Sequence, residues 1–126
     1  MARFVRIGDT TLPVASIESI HVTPSRAQLF ESGGKVHAYR AAGGTQDEQA
    51  LFRAVCAIAD RLVAAKSFVR VAEMCINVAF IRSIQVTPTA AHLVDGDGDV
   101  YVFFASQEEA LYGAVKAIAD QLCAAA

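Results

Sequence analysis

Asp95, Asp97 and Asp99 stand at the alternate spacing with which a calcium loop offers carboxylates to a hard cation. The complete loop also needs glycine at its sixth position and glutamate at its twelfth, where this chain has Val100 and Ser106. The acids therefore read as solvated charge at a glycine-rich hairpin tip, and no metal is expected. His21, His37 and His92 neighbour no serine, cysteine or carboxylate in a catalytic pattern, and they read as strand or surface histidines. Cys56, Cys75 and Cys123 are odd in number and lack CxxC spacing, which points to buried free thiols rather than a disulfide framework or zinc site. There is no phosphate-cradling GxxxxGK[ST], no GxGxxG after a strand, no GxSxG and no HExxH. The expectation is a protein that is not an enzyme, with no catalytic residues and no cofactor. The enzymatic alternative is a small-molecule site scattered between two repeats, with perturbed acids or histidines converging there.

The cations carry a more specific idea. Arg6 and Arg70 occupy equivalent places in two copies of one sequence unit. Mid-strand, they could present a pair of guanidiniums to an anionic ligand such as a phosphate backbone, so they are candidate ligand-binding residues. The competing reading pairs them with Asp9 and Glu73 across the adjacent turns. Asp60 and Asp120 also match each other. Each lies near a helix C-terminus, where the helix dipole disfavours a carboxylate. A cationic partner is expected for them, from Arg53, Arg61, or Arg6 and Arg70 through space.

These residues sit in a duplication. Phe4-Val5-Arg6 matches Phe68-Val69-Arg70, Val22-Thr23-Pro24 matches Val86-Thr87-Pro88, and Ala57-Ile58-Ala59-Asp60 matches Ala117-Ile118-Ala119-Asp120. We read residues 1–126 as a single duplicated domain, with repeat one at 3–66 and repeat two at 67–126. The first repeat holds extra residues around Ala42-Gly43-Gly44-Thr45. In each repeat, short alternating strands are separated by turn residues. In the first they fall at Phe4–Ile7, from Thr11 to Thr23 with a kink near Ala15-Ser16, at Ala27–Phe30 and at Val36–Arg40. The kink could split the second strand and raise four strands to five. The fold class expected is α+β: a tandem duplication of a (β)4-α unit, mainly antiparallel sheets with two helices, pseudo-two-fold symmetric.

The first helix should start between Thr45 and Asp47. The second should start near Ser106, because Ser106-Gln107-Glu108-Glu109 has the form of a capping box. Leu51, Val55, Ile58 and Leu62 form one apolar stripe, matched by Leu111, Val115, Ile118 and Leu122; that stripe should pack on a sheet. A second stripe holds Phe52, Cys56, Ala59 and Val63, matched by Tyr112, Ala119 and Cys123, with Lys116 in the row. Helices apolar on two sides should pack on each other or on a second chain. The second-stripe residues are therefore candidate interface residues, and a homo-oligomer or a protein partner is expected. The run Tyr101-Val102-Phe103-Phe104 puts aromatic residues on both faces of one strand. One face must be core, and the other suits an oligomer interface or a base-stacking platform.

Composition bounds the rest. Apolar residues make up 54% and charged residues 19% of the 126-residue chain, the balance of a compact domain rather than a disordered one. Net charge is −2, which disfavours a nucleic-acid partner without a local basic patch. No apolar run approaches a membrane span and no signal-like stretch opens the sequence, so a cytoplasmic protein with no membrane partner is expected. The order of strands then helix, twice over, resembles that of the Whirly and PC4-like transcriptional regulators. That resemblance lies in element order across the chain and implies single-stranded DNA bound on the sheets; the lysine-rich strand motif of Whirly proteins is not present. The reading is a non-catalytic binding or assembly module acting through protein association, with single-stranded nucleic acid binding as the alternative.

Overall fold

The computed structural model describes residues 4–124 and shows an α+β chain with two helices and antiparallel strand pairing throughout. Contacts divide it into two units, Met1–Val78 and Ala79–Ala126.

The first unit opens with β1 (Phe4–Ile7) and β2 (Thr10–Pro13), an antiparallel pair with Val5 opposite Leu12. Gly8 turns this hairpin at φ +60°, and a Cβ there would lie 3.0 Å from Leu51 Cδ2. Glycine meets both the left-handed backbone and the close approach. A single 3-10 turn at Val14–Ser16 separates β2 from β3 (Ile17–Val22), where the sequence suggested a kink. Next come β4 (Arg26–Glu31), β5 (Val36–Arg40) and the helix α1 (Gln46–Ala64). The hairpin of β6 (Phe68–Val71) and β7 (Met74–Asn77) completes the unit. The larger sheet runs β5-β4-β3-β7-β6. β7, which follows α1 in the chain, lies against β3 with Ile20 opposite Cys75. A register shift between Ile17 and Ser19 bulges β3 against β4 and sharpens its twist.

α1 starts where its N-cap dictates. The Thr45 hydroxyl accepts from Glu48 N at 3.1 Å, satisfying one of the orphan amides of the first turn. At the other end Lys66 N donates to Val63 O and Ser67 N to Leu62 O, the pair of bonds of a Schellman motif. Lys66 adopts φ 64°, a place usually given to glycine. The stripe of Val55, Ile58 and Leu62 is buried with Ile17, Ile20, Ala27 and Leu29 of the sheet. Asn77 is a buried polar residue of this unit; its amide donates to Ile17 O at 2.8 Å and Val14 O at 3.3 Å.

A 3-10 turn at Val78–Phe80 leads into the strands of the second unit, β8 (Ile81–Val86), β9 (Ala90–Asp95) and β10 (Val100–Phe104), ordered β10-β9-β8. β8 carries a register shift between Ile81 and Ser83, matching that of β3. The helix α2 (Glu109–Ala124) packs on this sheet through Val115 and Ile118. It does not begin at Ser106. Gln107 N and Glu108 N both donate to Phe104 O, so a turn takes up residues 105–107 and the helix starts at Glu109. The Tyr112 hydroxyl donates to Thr87 O at 2.7 Å.

Candidate binding surface

β1 alternates cleanly: Val5 and Ile7 are buried, while Phe4 and Arg6 point the other way into solvent. Phe4 is 58% exposed, unusual for a large apolar side chain. It lines a shallow cavity of about 80 Å³ with Val5, Ile58, Arg61, Leu62, Ala65 and Ser67. Arg61 from α1 lines the same cavity, and Arg6 shares the strand face of Phe4. Neither guanidinium has a salt-bridge partner among the described residues. Asp9, the partner that the sequence offered Arg6, is likewise in no salt bridge there.

Arg70 is in a different state. Its Nη2 donates to Asp60 Oδ1 at 2.7 Å, and its Nε lies 3.5 Å from Cys75 Sγ. Those bonds hold the guanidinium's pKa above its ordinary value, Asp60 contributing most. The partner of Arg70 is thus Asp60 rather than Glu73, and Arg70 is the cation that Asp60 needed near its helix C-terminus. The group lines a cavity of about 220 Å³ with Val22, Cys56, Ala72, Glu73 and Cys75. Burial, and after it the Asp60 charge, push the Cys56 thiol up, so it is a poor nucleophile. Arg6 and Arg70 lie on separate sheets, one free and one engaged.

The second stripe of α1 lies partly against the core of its own unit, with Phe52, Cys56 and Val63 only half-buried. Ala59 is fully buried in the core, and Phe52, Cys56 and Val63 pack against that core. On α2, Tyr112 and Ala119 are half-buried and Cys123 is exposed. The acid tip is also accounted for locally. Asp95 is 9% exposed; its Oδ1 accepts from Asp97 N and Asp99 N at 3.0 Å, and Tyr101 donates to its Oδ2 at 3.4 Å. This carboxylate organises its own loop. His37 Nε2 lies 2.5 Å from Glu31 Oε2. The His21 ring packs on Phe30 at 4.9 Å, and burial lowers its pKa against a raising influence from Glu73.

Among the strand aromatics, the sequence pointed to Tyr101, Phe103 and Phe104 and not to the exposed Phe4. The signal was present in the alternation of Phe4 and Arg6 against Val5 and Ile7. Charge is unevenly divided as well. Residues 1–78 hold nine Lys and Arg against seven Asp and Glu, a net +2; residues 79–126 hold two against six, a net −4. Among the described residues no helix is long and apolar enough to cross a membrane.

No family model and no curated protein matches the sequence. Among solved structures, the LytTr DNA-binding domain of a Bacillus cereus response regulator superposes with a TM-score of 0.50 at 13% identity, over 89% of this chain and 94% of that one. At that identity the likeness is one of fold.

Proposed function

We propose that this chain is a non-catalytic binding module whose first unit engages single-stranded nucleic acid. The observation that carries the reading is the exposed Phe4 ring, with Arg6 on the same strand face and Arg61 at the same cavity. An aromatic face open to solvent can stack an unpaired base, and flanking guanidiniums can meet its phosphates. The positive balance of this unit supports the reading, and so does a structural neighbour described as a DNA-binding domain.

The test is fluorescence anisotropy with a labelled single-stranded oligonucleotide across a salt series. Binding should weaken linearly in log salt, and Phe4→Ala should cost about 1–3 kcal/mol, the worth of one stacked base. Arg6→Ala and Arg61→Ala should each lower the salt slope by about 0.7, the single-strand value for one phosphate contact. No binding even at low salt would retire the reading.

A second reading, association with protein, is favoured by one observation in the other unit. Val100, Val102 and Phe104 are large apolar side chains exposed along a single strand.

A further inference from the structure

β10 forms an edge of the second unit's sheet, and its own residues carry none of the usual guards. Natural edge strands carry lysine, proline, an inward charge or a bulge that prevents pairing with another chain. β5, an edge of the first unit's larger sheet, ends in Arg40, which is bonded to Glu48. β8, the opposite edge of the second unit's sheet, carries Arg82 within its register shift. β10 reads Val-Tyr-Val-Phe-Phe: no charge, no proline, and an unbroken register with β9. Tyr101 and Phe103, opposite Leu93 and Ala91, turn to the buried face. Val100, Val102 and Phe104 are 54%, 36% and 49% exposed on the other. Among the described residues, the main-chain groups of Val100, Val102 and Phe104 on this edge have no further strand beside them, and their exposed apolar side chains stand in a row along it.

We propose that β10 pairs antiparallel with β10 of a second copy of this chain, about a two-fold axis through Val102. This rests on the association reading and is independent of the nucleic-acid one. The strand is complementary to itself in that register. Val102 meets Val102, Val100 meets Phe104, and Tyr101 meets Phe103. The flanks agree: Asp99 falls opposite Ala105 and Asp97 opposite Gln107, so the acid tip of one copy faces no acid of the other. Pairing shifted toward the acid tip would bring the two tips together, and the like charges would oppose it. The result is one continuous sheet, β8-β9-β10 running into its symmetry mate, of the isologous kind expected for a two-fold dimer.

The experiment is sedimentation velocity over a concentration series reaching roughly 1 mM, where even a weak interface is populated. Wild type should dimerise. Val102→Lys and Val102→Glu, each placing like charges on the axis, should weaken self-association at least about tenfold. An equimolar mixture of the two should dimerise again. Val100→Lys and Phe104→Glu should each weaken it, and the double variant should recover it through two cross-strand ion pairs. Circular dichroism checks that each variant is folded, and the oligonucleotide assay should read the Val102 variants as wild type. A wild type that stays monomeric at every concentration, as it would if the edge served a foreign strand, overturns the proposal. So does a dimer indifferent to Val102, or a double variant no better than its singles.

Discussion

Replacing Asn77 with alanine should destabilise the protein out of proportion to the atoms removed. Asn77 is 5% exposed at the end of β7, and its amide reaches back to the 3-10 turn and the first residue of β3. Two carbonyls lose a donor in Asn77→Ala: Ile17 O, bonded at 2.8 Å, and Val14 O, at a weaker 3.3 Å. Stranding a buried acceptor costs about 1–3 kcal/mol, and the longer bond adds less, so the loss should be about 2–3 kcal/mol. That is a sizeable part of a total of roughly 5–15 kcal/mol for a typical domain. Urea unfolding followed by circular dichroism should show the midpoint falling by about 1–2 M. Asn77→Asp should be worse at neutral pH than in acid, because a carboxylate set against carbonyl oxygens cannot donate until it is protonated. A loss below about 0.5 kcal/mol for Asn77→Ala would refute the reasoning and make the amide incidental to the joint between β7 and β3.

Further outcomes follow from the same geometry. Lys66→Gly and Ala72→Gly should each raise stability by about 1 kcal/mol in thermal melts, since both residues hold a left-handed backbone, at φ 64° and 55°, that costs a side chain. Thr45→Ala should cost about 1 kcal/mol by removing the N-cap of α1, with Thr45→Ser restoring most of it. Ile20→Ala, at a fully buried place on β3, should cost about 2–5 kcal/mol in the same urea assay. His21, with its pKa lowered in the fold, favours the neutral ring. Its contribution is complete above the ordinary value of 6.5 and is lost as pH falls below it, so His21→Gln should flatten stability against pH there.

Local patterns carried most of what was legible beforehand. The α+β class, the antiparallel pairing, the split after β2 and the start of α1 follow from alternation, turn residues and a cap, all of which act within a few residues. The start of α2 differs from the expected one because a capping box is only a pattern, and here Gln107 N and Glu108 N close back on Phe104 O, so the backbone is still turning where the box would open the helix. The wish of Asp60 for a cation could be read from the helix dipole, yet the choice of Arg70 over Arg61 and Arg53 depends on how β6 meets α1. The second stripe of α1 looked available because apolar residues on a second face say nothing of what covers them. In this unit the core covers Ala59 fully and Phe52, Cys56 and Val63 in part. Arg6 and Arg70 share a place in the sequence and differ in circumstance, since among the described residues β1 pairs only with β2 and β6 belongs to a five-stranded sheet.

The pairing of β3 with β7 has a bearing on the order of events during synthesis. Strands β3 to β5 and the helix that covers them leave the ribosome before the hairpin that borders β3 exists. Until Met74–Asn77 emerges, Ser19-Ile20-His21 is a bare edge, able to recruit a neighbouring nascent chain as readily as its own missing strand. A gene truncated after Lys66 would make that exposure permanent. It should therefore yield inclusion bodies or a strand-exchanged oligomer, whereas a truncation after Val78 keeps the sheet whole.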